Sequence, residues 1–382
     1  MRIAIVAETY LPAINGVTHS IAKIVQHLTA NGHTALVIAP SAPGSAEVDA
    51  VDAARVVRLP SVPIAGYPSV RIAVGGVARL KAELAAFAPD LVHLASPFEL
   101  GWRAVRAAEQ LGIPTVAVYQ TDVPGYIAKY GAPVFERWAL QRVSNIHGRA
   151  SRTLVPSTSA RAALERLGVP RIGLWRRGVD TTRFHPSRRS ADFRREVAPN
   201  GERVIGFVGR LAAEKQVGDL AAIADLPGIR LVIVGDGPER AALERLLPRA
   251  HFTGALQGER LAAVMASLDL FVHPGELETF CQTIQEAMAS GVPVVATGKG
   301  GPLDLVESSR TGWLYRPGDL LQLREQVLDL IGDDAKRAAF ADAAFHSVQS
   351  RTWPVLCELL TATYSDVIEN HQLLTLARRG RH

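Results

Sequence analysis

The chain has little that would staple, anchor or export it. Its two cysteines, Cys281 and Cys357, leave no disulfide framework and no metal-ligand spacing, so a reducing cytoplasm is the expected setting. No apolar run reaches the roughly 18 residues of a membrane-spanning helix. The opening RIAIVA stretch is interrupted by Thr9, Pro12, Asn15 and Gly16 before a signal h-region could form, and reads as a buried strand. No G-x-G-x-x-G follows that strand, and GDGPER (235–240) does not complete one, which counts against a nicotinamide-dependent dehydrogenase. A two-domain binding protein is a rival reading, but it predicts a secretion signal. No Asp-x-Asp pair is present, so no metal site is expected. Lysine is scarce too: with six Lys among 42 cationic residues, the net charge of +5 is carried by arginine.

What is present is the profile of a soluble globular protein, 48% apolar and 21% charged, with 382 residues for two domains. Short apolar runs alternate with helix-like stretches. RIAIVA (2–7), HTALVIAP (33–40), DLVHLAS (90–96), PTVAVYQ (114–120) and RTLVPS (152–157) read as strands. The pattern restarts with RVIGFVG (203–209), IRLVIVGDG (229–237), AHFTG (250–254), LDLFVHPG (268–275) and GVPVVAT (291–297). Helices are expected over 214–226, 238–247, 259–266 and 280–290, and the polar stretch 180–200 reads as a linker. Near-continuous apolar strands separated by helices imply parallel sheets covered on both faces. The expected class is α/β: two Rossmann-like, doubly wound domains over 1–180 and 181–354, facing a central cleft. A final helix, about 355–382, is expected to pack back on the first domain.

Nine arginines stand between Arg137 and Asp180, against Glu165 and Asp180 only. Nucleic acid, an anionic lipid surface or a phosphorylated small molecule could each answer that charge, as could a plain solvated face. No nucleic-acid-binding signature accompanies it. Trp138, Tyr126 and Tyr130 lie nearby and make the segment a candidate for docking on an anionic leaflet, with a soluble partner the alternative.

Two blocks carry the chemistry. In GELETFCQTIQEAMASGVPVVA (275–296), Glu278 and Glu286 are eight residues apart where a strand gives way to a helix. With Thr279 as N-cap and Gln282 three residues on, the helix start resembles a capping box. Free N–H groups around Phe280 and Cys281 would seat a phosphate, and the two carboxylates would reach a sugar and a more distant ribose. The plainer alternative is an amphipathic helix with exposed glutamates. In FVGRLAAEKQ (207–216), Arg210 and Lys215 follow a strand end and could clamp a diphosphate, or be ordinary surface ions.

Taken with NGV (15–17), AVYQTDV (117–123), RGVDTTRFHP (177–186), VIVGDGPER (232–240) and GGPLDLVESSRTGWLY (300–315), these blocks resemble glycosyltransferase family 4, the retaining GT-B enzymes. Within it the chain looks most like actinobacterial GDP-mannose-dependent α-mannosyltransferases acting on glycolipids. The resemblance implies transfer of mannose from GDP-mannose to a membrane glycolipid, such as a glucuronosyl diacylglycerol, at the inner face of the plasma membrane. A UDP-sugar-dependent glucosyl- or sulfoquinovosyltransferase, or a non-enzymatic nucleotide-binding protein, are the alternatives. Arg210 and Lys215 match the cations on the diphosphate, and Glu278 and Glu286 the paired glutamates at sugar and ribose. Gly16 matches a backbone contact to phosphate. Thr279, Phe280, Cys281 and Gln282 match the segment that holds sugar and diphosphate, and Gly235 and Gly237 edge the base pocket. Many relatives carry a histidine just after the strand that here reads AVYQTDV. This chain has Gln120 and Asp122 there, with Tyr126 following. They are acceptor candidates, Asp122 also as a general base. His93, His147 and His273 read as packing or surface residues. No cofactor is expected, and two fixed cations in place of a metal imply metal independence.

Overall fold

The computed structural model describes residues 1–13, 15–45, 50–51, 54–64, 67–129 and 133–379. Two compact units are formed, Met1–Arg176 with Pro354–His382, and Arg177–Trp353.

In the first unit the strands are β1 (Arg2–Ala7), β2 (Thr34–Pro40), β3 (Ala50–Val51), β4 (Ala54–Leu59), β5 (Ser61–Ile64), β6 (Tyr67–Ala73), β7 (Leu91–Ala95), β8 (Thr115–Val118), β9 (Arg152–Val155) and β10 (Ile172–Leu174). They stand in the order β10-β9-β8-β7-β1-β2-β4-β3, with β5 and β6 as a separate antiparallel pair. Ile3, Ala4, Ile5, Val6 and Ala7 are all buried, as a central parallel strand covered on both faces must be. Glu8 follows β1 and accepts from the backbone N–H groups of Phe98, Leu100 and Gly101 at 2.7–3.1 Å, capping the helix Glu99–Leu111. The helix Trp353–Arg379 packs on this unit. Trp175 donates to the Leu356 carbonyl at 2.7 Å, and the Tyr364 hydroxyl meets His93 Nδ1 at 2.7 Å. His93 and His147 are core residues, and burial lowers each to about 3, so both are neutral.

The second unit contains β11 (Arg203–Val208), β12 (Ile229–Val234), β13 (His251–Gly254), β14 (Leu270–His273), β15 (Val294–Thr297) and β16 (Gly312–Tyr315), in the order β13-β12-β11-β14-β15-β16, all parallel. The order reverses between β11 and β14. A crevice opens at such a switch point outside the carboxyl ends of the strands, and ligands of open α/β sheets bind there.

Three sequence expectations change. The stretch 180–200 is no linker: Phe184 and Val197 are buried in the second unit's core, and Arg194 pairs with Asp269 at 2.8 Å. Its polar, arginine-rich composition reads as a linker, but Asp269 and buried carbonyls satisfy Arg189 and Arg194. The helix expected over 214–226 is two short 3-10 segments, Ala213–Lys215 and Val217–Ile223, broken where Gln216 takes φ 50°. The helix expected from 280 begins at Gln282.

Candidate functional site

The switch point brings together the loops that follow β11 and β14. A reciprocal amide contact ties them: Glu276 N–H donates to Gln216 Oε1 at 3.1 Å, and Gln216 Nε2 to Glu276 Oε1 at 3.4 Å. The turn bearing Arg210 is held from its other side by the glycine turn after β12. Gly209 donates to the Val234 carbonyl, Leu211 to that of Asp236, and Glu239 to that of Leu211. A Cβ on Gly235 would stand 1.9 Å from the Gly209 oxygen, and one on Gly237 2.3 Å from that of Leu211, at φ 145° and 159°. Both glycines are therefore needed so that the two turns can touch. Gly235→Ala is expected to cost roughly 2 kcal/mol or more, from the clash and the strained φ. A variant that melts with the wild type would refute the close-packed turn.

Charge is concentrated on Glu278. Its Oε1 accepts from Lys215 Nζ and lies 3.0 Å from His273 Nε2. Burial alone would raise the Glu278 carboxyl, but Lys215 and His273 outweigh it and hold it down to about 2. Burial works against the His273 imidazolium, yet Cys281 and Glu278 together raise it to about 9. His273 is 1% exposed and stacks on Phe207 and Phe271, with an interplanar angle of 18° to each. Arg210, by contrast, is exposed, and has no ion-pair partner among the described residues. The site thus offers two engaged cations, Lys215 and His273, and an open one, Arg210.

The helix start departs from the capping-box expectation. Cys281 sits at φ 74° and makes no side-chain cap, so Thr279 is not the N-cap and the chain turns sharply before Gln282. The cause is tertiary. Gly301 N–H donates to the Glu278 carbonyl at 2.7 Å, and a Cβ on Gly301 would fall 2.3 Å from the Phe280 oxygen. The GGPLDL segment thereby clamps the backbone of Glu278, Thr279 and Phe280 against itself, with Phe280 buried in the core. The helix Gln282–Ala289 carries Glu286 on its second turn. Burial pushes the Glu286 carboxyl up to about 8, against the pull of Gln282, Arg177 and Arg183. Gln282 Nε2 donates to the Gly178 carbonyl at 2.9 Å and Gln285 Nε2 to that of Arg177 at 2.8 Å, so this helix grips the RGVD segment.

In the first unit, Gly16 opens the helix Gly16–Ala30, whose N-cap Asn15 accepts from Thr18 N–H at 2.9 Å. Gln120 is buried just past β8. Asp122 Oδ1 accepts from the Tyr119 hydroxyl at 2.9 Å and from Gly125 N–H at 3.1 Å. Its Oδ2 lies 2.4 Å from where a Gly125 Cβ would be, so the carboxylate turns into the first turn of the helix Val123–Lys129. Tyr126 falls on that helix, its side chain outside the described part, and Tyr130 is outside the described residues.

Two residues escaped the sequence reading. His273 reads in the sequence as a packing or surface residue, because nothing in LFVHPG signals that the following loop folds back onto the strand end. Arg177 is 9% exposed with charge interactions toward Glu286 and Glu278; burial lowers it to about 10, leaving it a cation at neutral pH. In the sequence RGVDTTRFHP carries the family resemblance alone, and the adjacent Arg176 and Arg177 give no sign of which one turns inward.

Set against known proteins, residues 14–183 match the family described as Glycosyltransferase Family 4, and residues 188–347 that described as Glycosyl transferases group 1. A GDP-mannose-dependent alpha-mannosyltransferase of Mycolicibacterium smegmatis is 49% identical over 98% of this chain and 99% of its own length. One of Corynebacterium glutamicum is 44% identical over 100% of this chain and 92% of its own. The crystal structure of Anabaena HepE in complex with UDP superposes with a TM-score of 0.79 at 22% identity, covering 96% of this chain and 100% of that one, a likeness of fold.

Proposed function

The chain belongs to glycosyltransferase family 4 with its GT-B fold, and we propose that it moves mannose from GDP-mannose to a membrane glycolipid with retention of anomeric configuration. The observation that carries the reading is the Lys215–Glu278–His273 cluster at the switch point, with Arg210 exposed on the turn after β11 and Glu286 on the helix that follows Glu278. The donor is taken from the mannosyltransferases of similar sequence across nearly the whole chain.

In this reading Arg210 and Lys215 stabilise the departing diphosphate, the role a divalent ion plays elsewhere, so the reaction needs no metal. Glu278 accepts from hydroxyls of the transferred sugar, and Glu286 from the ribose. The N–H groups that open the helix at Gln282 offer the phosphates a second, uncharged contact. Gly16 keeps the backbone contact to phosphate that the resemblance implies, and Gln120 and Tyr126 belong to the acceptor side. Because the departing diphosphate can take the acceptor's proton in a same-face displacement, Asp122 need not act as a base, and its engaged oxygens suit a cap. Asp122→Asn, which still accepts both hydrogen bonds, is expected to keep transfer within about tenfold of wild type; a loss within the 10²–10⁴ range of general-base catalysis would restore the base role.

The membrane side of the reading draws on the first unit. Phe135 and Trp138 are 62% and 46% exposed, and Arg142 stacks over Trp102 and Trp138 at 4.1 and 5.1 Å. Other arginines of the cluster are spoken for: Arg149 pairs with Glu109, Arg161 with Glu165, and Arg171 binds backbone carbonyls. Among the described residues no helix is long and apolar enough to cross a membrane.

Incubation with radiolabelled GDP-mannose or UDP-glucose and membrane lipid extract, with and without EDTA, tests the whole reading. Labelled mannolipid formed equally in both conditions is the expected result. Label from UDP-glucose alone would overturn the donor, and abolition by EDTA the metal independence.

A further inference from the structure

We propose that His273 is a positioning residue for Glu278, holding that carboxylate on one oxygen so that the other faces the transferred sugar when Lys215 turns to the diphosphate. The inference rests on the donor-site reading above. The imidazole is fixed before any ligand arrives: it ends β14, is 1% exposed, and is stacked against Phe207 and Phe271. Such a ring has no room to follow a ligand, whereas the flexible stem of Lys215 can swing. Nε2 meets Glu278 Oε1 at 3.0 Å, and among the described residues Nδ1 makes no hydrogen bond. The Cys281 sulfur lies within 4.8 Å of a His273 ring nitrogen and of a Glu278 carboxylate oxygen, so the loop from Pro274 to Cys281 wraps round the ring.

The physical need is one of charge. In the free protein two cations share Glu278 Oε1, Lys215 and His273. A diphosphate competes for the ammonium, since several phosphate oxygens attract it more strongly than one carboxylate. If Lys215 were the whole support, donor binding would strip Glu278 of its partner just when it must be ionised and aimed. A second donor with a rigid ring prevents that. The titratable groups facing the imidazole are Glu278 from the loop, Cys281 from the helix start and, through the shared oxygen, Lys215 from the turn after β11.

Two isosteres separate positioning from packing. His273→Gln places an amide N–H where Nε2 stands, while His273→Asn places it where Nδ1 stands. His273→Asn is expected to lower kcat by about 100-fold with little change in KM for GDP-mannose, and His273→Gln to recover most of it. In a Glu278→Gln background the Asn substitution should add nothing further. Equal activities of the Asn and Gln variants would overturn the proposal. Imidazole 15N NMR of the free protein decides it without turnover: His273 is expected to be doubly protonated at neutral pH in the wild type and to titrate at a lower pH in Glu278→Gln, where Cys281 alone still supports the imidazolium. A neutral wild-type ring, or an unchanged one in the variant, would also overturn it. If the wild type transfers no mannose at all, the functional reading fails while the NMR result still judges the His273–Glu278 contact.

Discussion

Lys215→Ala is expected to slow mannose transfer by about 10²- to 10³-fold, the usual effect of removing one fixed donor from a developing oxyanion. The loss should fall mainly on kcat. Charge on the diphosphate grows as the glycosidic bond breaks, so a cation contributes more to the transition state than to donor binding. The protein should stay folded, because Glu278 keeps His273 as a hydrogen-bonding cation and is not left as a bare buried charge. Lys215→Arg should fall between: it restores the charge but spreads it over a planar fork that no longer fits a point contact. Initial rates at saturating GDP-mannose, with melting temperatures alongside, are the measurement. An alanine variant turning over like the wild type would remove Lys215 from the mechanism.

Glu278→Gln should abolish most transfer and also flatten the stability of the protein against pH. Glu278 is held at about 2, below its ordinary 4.5, so its contribution to stability is present above about 4.5 and is lost as pH falls through about 2. His273 is raised from 6.5 to about 9, so its contribution is full below 6.5 and is lost as pH rises through about 9. Lys215 first and His273 second hold Glu278 down, while Cys281 first and Glu278 second raise His273, so the contact between the two groups carries part of each effect. With a neutral amide at 278, burial governs His273 and pulls its proton affinity down, leaving Cys281 as the residual support. Melting curves from pH 3 to 9.5 should therefore show two slopes in the wild type, below 4.5 and above 6.5, and much weaker ones in the variant. Superimposable profiles would mean that the cluster does not couple the two groups.

Much of the donor site was legible because its residues sit on strand ends that the apolar runs announce. Val208 closes a buried strand, and Arg210 and Lys215 follow within one turn, so their place at the carboxyl edge needed only the strand. Glu278 and Glu286 were legible by their spacing and their position after LDLFVHPG. The helix start was not. A capping box from Thr279 to Gln282 is a sound local reading, but the close contact of Gly301 with the Phe280 backbone lies more than twenty residues away and overrides it. His273 and Arg177 failed for a related reason: a histidine or arginine flanked by apolar or like-charged neighbours looks the same whether it faces the core or a carboxylate. The stretch 180–200 reads as a linker because it is polar and arginine-rich, while Asp269, which satisfies Arg189 and Arg194, is remote in sequence.

By itself the amino-acid order determined two α/β sheets, a cationic and acidic cluster at strand ends in the second half, and membership of a glycosyltransferase family. These follow from periodicity, turn residues and ordered motifs, all carried by neighbours along the chain. Only the tertiary structure decided that β11 and β14 lie side by side, and with them that Lys215 and His273 converge on one oxygen of Glu278. Strand order is set by how crossover helices pack on the two faces of the sheet, a balance of contacts between distant segments that no local pattern contains.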